Sequence, residues 1–321
     1  MRVARKIIID TDPGIDDAMA IFFALQSPEL DVIGLTTVFG NVTTDLATTN
    51  ALRLLDIAGR SDIPVARGAT DPLCFKFGGS VDHIHGSNGQ GDVRLSPSPR
   101  TPAGESAAQF IVDRIMSAPG EITLVPIGPL TNVALALRLE PRIADAVQEV
   151  VLMGGNALGP GNATPSAEAN IHNDPEAGDV VFSASWNVTM VGLDATQQVF
   201  MSGEHLKLYG RIDTDMARHV AAIVPYYQAF YREREGLDGI YVHDSSAIAY
   251  LLAPELFTIK RWPICVDTSG SIGRGKTWPA IGNTDWVNLA PWRDRPRVSV
   301  CVGANGPAIV ALELAAMSGA R

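Results

Sequence analysis

Short apolar, β-branched segments alternate with amphipathic segments along the first two-thirds of the chain. Such alternation is typical of βαβ units, which build a parallel sheet with helices packed on its faces. We therefore predict an α/β fold with an open, mostly parallel, twisted sheet flanked by helices. The apolar segments predict its strands at 6–10, 31–39, 121–128, 149–155 and 187–196.

The segments between these strands have the spacing of helices, and capping residues, glycines or prolines mark their ends. The C-terminal third is less regular. Asp174, directly before Pro175, is predicted to cap the start of a helix. The other predicted helices lie at 16–28, 43–60, 129–141, 213–235 and 245–254, and two further strands lie at 264–268 and 297–302.

Two segments, 68–105 and 155–170, are rich in glycine, proline, serine and asparagine. They are predicted to be long loops, which in a compact α/β domain are usually functional or mobile. The chain has no internal repeat and no low-complexity tract, and its 46% hydrophobic residues are enough for a large core. We predict a single domain over 1–321.

The charge and the remaining composition exclude several classes of partner. A net charge of −10 argues against a nucleic-acid partner, which needs a basic surface. No window approaches the ~20 uncharged apolar residues that span a bilayer, and the apolar run at 7–9 is too short for a signal peptide. Three widely separated cysteines, Cys74, Cys265 and Cys301, offer neither a disulfide framework nor a zinc spacing. We therefore expect a cytoplasmic protein.

The strongest candidate chemistry follows the first strand, where residues 7–18 are IIIDTDPGIDDA. Ligands of open α/β sheets bind at the carboxyl ends of strands, where this loop must lie. Its four aspartates raise one another's pKa unless a cation compensates, and an all-oxygen site selects a hard ion such as Ca²⁺ or Mg²⁺. Alternatively, Asp16 and Asp17 could simply favour the helix N-terminus, which would account for two of the four.

Seven motifs in order, beginning with this aspartate loop, resemble the inosine-uridine preferring nucleoside hydrolase family. The other six are TVFGN (37–41), HIHGSNG (83–89), LVPIGPLTN (124–132), VLMGGN (151–156), GNATPSAEANIHNDPEA (161–177) and the pair His243-Asp244. The resemblance covers residues 7 to about 250. It implies an enzyme that uses water to split a ribonucleoside into ribose and free base.

The resemblance also implies a calcium site and two catalytic residues. It assigns Asp12, Asp17, Asp244 and the backbone carbonyl of Ile127 to the Ca²⁺ ion. Family members often have threonine at this position. Ile127 therefore differs from the family in its side chain, but it keeps the backbone carbonyl that would bind the ion. Asp12 would also activate the water, and we assign His243 as the acid that protonates the departing base, because histidine is the natural proton donor near neutral pH.

Further residues would bind the substrate, most of them in loops. By resemblance, these groups hold the ribose hydroxyls, lie near the sugar or contact the base: Asp16, Asn41, His85, Met153, Asn162, Glu168, Asn170, Tyr227 and Tyr231. Each has a structural alternative. Asparagine is common in turns, Asp244 could cap the helix after it, and the two tyrosines could form part of a core.

Breaking a ribosyl C–N bond passes through an oxocarbenium-like state, which requires a positioned water, contacts to the 2′- and 3′-hydroxyls and help for the leaving base. The predicted residues supply all three. Two other functions stay open. One is a haloacid-dehalogenase-like phosphohydrolase, because an Asp-x-Asp follows a strand, although the continuation over 13–17 does not fit. The other is a nucleoside-binding protein without turnover, which would have to lack the base or the acid.

The family resemblance further implies a homo-oligomer, either a dimer or a tetramer, and a place in nucleoside salvage. The substrate partner would be a small ribonucleoside, with no nucleic acid and no membrane involved. The spacing of Tyr227 and Tyr231 and the histidine before Asp244 favour inosine and uridine only weakly over a purine-specific or pyrimidine-specific pocket.

Overall fold

A computed structural model of the protein describes residues 4–270, 272–282 and 288–319. The strands are β1 (Arg5–Thr11), β2 (Leu30–Thr37), β3 (Val65–Arg67), β4 (Ile122–Pro126), β5 (Glu149–Met153), β6 (Val188–Val191), β7 (Phe200–Ser202), β8 (Gly239–Tyr241), β9 (Phe257–Val266), β10 (Thr277–Pro279) and β11 (Arg297–Ala304). The helices are α1 (Ile15–Leu25), α2 (Thr44–Ile57), α3 (Asp82–His85), α4 (Ala107–Ser117), α5 (Thr131–Leu139), α6 (Ile143–Ala146), α7 (Ala169–Asn173), α8 (Pro175–Ser183), α9 (Leu193–Thr196), α10 (Gly203–Tyr209), α11 (Asp215–Glu235), α12 (His243–Leu252) and α13 (Gly306–Met317).

The main sheet has nine strands in the order β10-β9-β11-β6-β5-β4-β1-β2-β3. From β11 to β3 every neighbouring pair is parallel. β9 runs antiparallel to both β10 and β11, and β7 and β8 form a separate antiparallel pair. The predicted α/β fold with an open, mostly parallel sheet is confirmed.

The apolar run in β1 is uninterrupted because helices cover both faces of the sheet. Ile7 and Ile9 are buried on one face, in the same core as α1 and α12. Ile8 points to the other face and joins the core that contains α4 and α5. A strand buried on both sides delivers the residues that follow it, beginning with Asp12, to the carboxyl edge of the sheet.

The strand predicted at 187–196 is too long, since β6 ends at Val191 and α9 begins at Leu193. The chain turns at Gly192, where a Cβ atom would lie 2.4 Å from the carbonyl oxygen of Gly155. The backbone N–H of Leu193 donates to that same oxygen at 2.9 Å. Close packing of two backbones therefore ends the strand, although the apolar pattern continues.

The sequence pattern also missed several elements. Strands β3, β7, β8 and β10 contain three residues each, too few to display a period. Helix α13 is apolar over most of its surface and lacks an amphipathic stripe. The predicted cap at Asp174 is confirmed, because its carboxylate accepts the Ala177 N–H at 3.0 Å. Within the described residues, no helix is both long enough and apolar enough to cross a membrane.

Close packing between β2 and α4 generates a stability prediction. A Cβ atom at Gly34 would lie 2.4 Å from the Phe110 ring. Because such overpacking forces side chains off their rotamers, Gly34→Ala should lower the free energy of unfolding by about 1–3 kcal/mol, measured by urea denaturation. Gly104→Ala is the control, since nothing lies within 4 Å of its added Cβ.

The double variant Gly34→Ala/Phe110→Leu tests the cause. Because the smaller side chain relieves the contact, its loss of stability should be less than the sum of the two single losses. Strictly additive losses would show that the ring does not restrict position 34.

Candidate active site

The predicted site residues gather at the carboxyl edge of the parallel strands, around one cavity of about 400 Å³. Of the residues named from the sequence, those that line it are Asp16, Asn41, His85, Ile127, Met153, Asn162, Glu168, Asn170, Tyr227, Tyr231, His243 and Asp244. Asp12 and Asp17 are buried and bonded to Asn41, which does line the cavity. The structure therefore brings all fourteen predicted residues together.

Tight backbone packing shapes the aspartate loop. At Gly14, in the turn between β1 and α1, a Cβ atom would lie 2.7 Å from Asn41 Nδ2 and 2.8 Å from His85 Nδ1. At Gly40, a Cβ atom would lie 2.0 Å from Asp12 Oδ2. Only glycine therefore lets the loops after β1 and β2 approach closely enough for Asp12 and Asn41 to meet.

The carboxylates of Asp16, Asp17 and Asp244 each place one oxygen within 4.8 Å of the others. Asp12 lies beside them, and its Oδ2 accepts the Asn41 N–H at 2.6 Å. The other oxygen of Asp12, Oδ1, and the Oδ1 of Asp16 are buried without a hydrogen-bond partner among the described residues. Closely spaced carboxylates, some with buried oxygens that have no hydrogen-bond partner, are what a hard cation requires.

Burial and mutual repulsion make ionisation of these carboxyl groups costly. Burial, reinforced by the neighbouring carboxylates, raises the pKa of Asp16 to about 7 and those of Asp12 and Asp244 well above their usual range. The basic residues at the start of β1 do not compensate, since Arg5 pairs with Glu149 and Lys6 with Glu121. The residues present fit a divalent cation bound by oxygen ligands.

The capping alternative holds for Asp17 and fails for Asp244. Asp17 Oδ2 accepts the Gly14 N–H at 2.9 Å, which caps the first turn of α1. At the start of α12, by contrast, the N-cap is Val242 and makes no side-chain capping bond. The carboxylate of Asp244, at the second residue of α12, instead lies in the acidic cluster.

Asn170 connects the ends of two strands. Its Nδ2 donates to the carbonyl oxygen of Ile127 at 2.9 Å and to that of Met153 at 3.2 Å. Glu168 caps α7 and accepts three backbone N–H groups, from Gly155, Asn170 and Ile171. These bonds hold the sugar-binding candidates against the sheet edge, and the role of these residues in binding a sugar stays a prediction.

Another part of the cavity wall is aromatic. The His85 ring stacks on Tyr227 with centroids 5.2 Å apart and an angle of 29° between the planes. His85 Nδ1 accepts the Ile15 N–H at 3.1 Å, which leaves Nε2 to carry the ring's proton. Burial lowers the pKa of His85 to about 3, so the ring is neutral near pH 7.

A chain of hydrogen bonds joins the aromatic wall to the carboxylates. It runs from Thr196 to His243 Nδ1 (2.7 Å), from His243 Nε2 to Tyr231 (3.1 Å), from Tyr231 to Tyr227 (3.2 Å) and from Tyr227 to Asp16 (3.4 Å). Each hydroxyl has one proton, and an ionised Asp16 can only accept. Every bond must then point towards Asp16, so His243 carries its proton on Nε2 and Thr196 donates to Nδ1.

Sequence reasoning missed Thr196, because it lies 47 residues from His243 and within a segment predicted to be a strand. It also missed how Asp10 is used. Asp10 is fully buried and does not line the cavity, and its Oδ1 accepts Thr36 Oγ1 at 2.5 Å and Asn132 Nδ2 at 2.8 Å. Asn132 could have been identified from the sequence, because it belongs to the motif LVPIGPLTN.

Comparison with known proteins agrees with this architecture. The sequence model of the inosine-uridine preferring nucleoside hydrolases matches residues 7–311. The chain is 46% identical over 275 residues to the inosine-uridine preferring nucleoside hydrolase of Leishmania major, covering 85% of this chain and 87% of that one. It is 42% identical over 296 residues to uridine nucleosidase 1 of Arabidopsis thaliana, covering 92% and 88%.

A comparison with solved structures shows that the fold is also shared. A solved plant nucleoside hydrolase, the PpNRh1 enzyme, matches with a TM-score of 0.95 and 39% identity, covering 98% of this chain and 99% of that one. The chain belongs to the inosine-uridine preferring nucleoside hydrolase family.

Proposed function

We propose that this chain is a calcium-dependent ribonucleoside hydrolase, which uses water to split the N-glycosidic bond into ribose and free base. One observation carries the proposal. A group of buried carboxylates, of which Asp16 and Asp244 line the cavity, lies beside stacked aromatic rings and a histidine that line the same cavity. The carboxylates suit a cation, a water and a diol, and the aromatic rings suit a flat base.

The ion would be held by Asp12, Asp17, Asp244 and the carbonyl oxygen of Ile127, with Asp16 beside them. Carboxylates and a backbone carbonyl form the oxygen set that Ca²⁺ prefers, and Ca²⁺ tolerates irregular geometry. When bound, the ion supplies the positive charge that keeps the carboxylates ionised and acts as a Lewis acid on ligands with oxygen atoms.

The chain's own residues would divide the remaining work. Asp12, with its unpartnered Oδ1, takes a proton from water as the water oxygen bonds to C1′ of the ribose. Asn41, Asn170 and Asp16 orient the sugar hydroxyls. The electrons of the broken C–N bond leave with the base, which receives a proton from His243.

Burial lowers the pKa of His243 to about 4 in the absence of substrate, so the free ring is neutral near pH 7. A negative charge developing on the departing base favours the protonated imidazole beside it. Tyr231, 3.1 Å from His243 Nε2, lies on the route between the ring and the base. Proton donation therefore belongs to the substrate-bound state.

The competing functions have weaker support. In a phosphohydrolase the Asp-x-Asp motif would be Asp10-Thr11-Asp12, but Asp10 is buried against Thr36 and Asn132 and does not line the cavity. A protein that only binds nucleosides would not need both Asp12 and His243. Use in nucleoside salvage, a cytoplasmic location, the single domain and assembly as a dimer or tetramer stay predictions.

The first prediction of this proposal concerns the metal. Asp17→Ala should abolish both stoichiometric Ca²⁺ binding and ribose release while the chain stays folded, because it removes a ligand from the centre of the cluster. Titration calorimetry, elemental analysis and an assay for free ribose measure this. Asp45→Ala is the matched control, since Asp45 is exposed and pairs with Arg67. Full activity after exhaustive chelation, with no metal in the sample, would rule out the metal site.

The second prediction concerns the sugar. A 2′-deoxyribonucleoside should react with a kcat/KM lower by a factor on the order of 10⁴, because buried polar groups would lose their partner. The rates of release of base from uridine and 2′-deoxyuridine, and from inosine and 2′-deoxyinosine, give this ratio. Equal rates for the deoxynucleosides, or for nucleotides, would contradict the assignment of an unphosphorylated ribonucleoside.

The third prediction concerns the leaving group. His243→Ala should slow inosine hydrolysis by about 10²–10⁴, the usual factor for general-acid catalysis. A nitrophenyl riboside, whose leaving group departs without a proton, should be hydrolysed at nearly the normal rate by the same variant. His205→Ala, on α10 outside the cavity, should leave both rates unchanged. Equal losses on the two substrates would mean that His243 only supports the site.

A further inference from the structure

We propose that Asp194 is a positioning residue for the ribose loop, residues 156–168, which carries Asn162 and Glu168. This inference rests on the proposed function, because it assumes that the loop holds the sugar. Asp194 does not line the cavity, so any effect on the reaction must pass through the residues that it holds.

The carboxylate of Asp194 binds the first turn of the ribose loop. Its Oδ2 accepts the N–H of Ala157 at 2.5 Å, and its Oδ1 accepts those of Leu158 at 2.9 Å and Gly159 at 2.8 Å. Three consecutive N–H groups on one carboxylate form charge-assisted hydrogen bonds, which are stronger than bonds between neutral groups. This turn therefore has a fixed position relative to α9.

Other polar contacts extend the attachment to the rest of the loop. The carbonyl oxygen of Gly159 accepts Asn156 Nδ2 at 2.9 Å and Lys276 Nζ at 2.8 Å. Asn156 Nδ2 also donates to the carbonyl oxygen of Ser166 at 3.0 Å, which joins the two ends of the loop. Gly159 is thus held at its N–H by Asp194 and at its carbonyl by Asn156 and Lys276.

Apolar packing contributes little to the order of this loop. Leu158 is 58% exposed, and only Ala157 and Ala167 among its apolar residues are buried. The loop contains no helix or strand, and α7 begins directly after it. A segment with so few buried apolar contacts opens easily, so its hydrogen bonds decide where Asn162 and Glu168 lie.

The same short helix contacts both halves of the site. Asp194 and Thr196 are two residues apart on α9, and Thr196 contacts His243 Nδ1 at 2.7 Å. The backbone N–H of Leu193 is bonded to the Gly155 carbonyl, directly before the loop. Helix α9 therefore sets the distance between the ribose loop and the histidine assigned to the leaving base, and Asp194 is its contact with the loop.

The test compares Asp194→Ala, which loses all three hydrogen bonds, with Asp194→Asn, which keeps one oxygen for Leu158 and Gly159. We expect kcat/KM for uridine to fall by about 10- to 100-fold in the alanine variant, mainly through KM, with the asparagine variant between it and wild type. Hydrogen exchange at the amides of 157–159 should accelerate in the same order. Circular dichroism confirms that each variant is folded.

Two controls separate positioning from loss of stability. Asp179 also accepts a backbone N–H, that of Val266 at 3.0 Å, and pairs with Arg295 away from the cavity. Asp179→Ala should lower the melting temperature and leave KM unchanged. In the Asn162→Ala background, Asp194→Ala should lower kcat/KM by a smaller factor than it does in wild type. The reason is that the sugar contact of Asn162, which Asp194 positions, is already gone.

Some outcomes would overturn the inference. One is unchanged protection of the amides of 157–159 in Asp194→Ala, and another is a wild-type KM in a variant whose loop exchanges freely. If the fold-losses of Asp194→Ala and Asn162→Ala multiply in the double variant, Asp194 does not act through Asn162. A wild-type protein that releases no ribose from any ribonucleoside would instead refute the proposed function. Calorimetry of ribose binding to wild type and to Asp194→Ala would then show whether Asp194 positions the loop.

Discussion

Repulsion among buried carboxylates is the constraint on which the rest of this structure depends. Asp12, Asp16, Asp17 and Asp244 converge from two helix starts and a strand end, and all four side chains are buried at the edge of the cavity. A domain is only marginally stable, so several like charges cannot be buried together without compensation. The surrounding hydrogen bonds compensate in part, and the unpartnered oxygens of Asp12 and Asp16 are where a cation would add the most stabilisation.

The architecture gives these acids no freedom to separate. β1 is buried on both faces, the turn at Gly14 admits no side chain, and Gly40 allows the next loop to press on Asp12. Asp17 is held by four donors, which come from Thr11, Asp12, Gly14 and Asn41. If these side chains could move apart, solvent would weaken the repulsion between their charges. Because they are held in place, the carboxylates are preorganised to bind a cation.

The local pattern of the sequence predicted those site residues that follow one another closely along the chain. A strand followed directly by clustered acids and a helix identifies the sheet edge, and the resemblance adds His243 and Asp244. Contacts made by folding could not be predicted. The Asp194 carboxylate meets residues more than thirty positions earlier, and its segment has the apolar, β-branched character of a strand. The turn at Gly192 that creates α9 is caused by a neighbouring backbone, which periodicity does not encode.

The charge of the acidic cluster also affects the aromatic residues of the cavity and His243. An ionised Asp16 accepts from Tyr227, and this single direction is passed through Tyr231 to His243 because each hydroxyl has only one proton to give. The tautomer of His243 is therefore set by a carboxylate that it does not touch. If Asp16 were protonated it could donate, and the chain could run the other way, with the histidine proton on Nδ1 and facing Thr196. A cation that keeps Asp16 ionised would thus also keep the imidazole proton on Nε2, the nitrogen that faces Tyr231, and hydrogen bonds would couple the acidic cluster to the histidine.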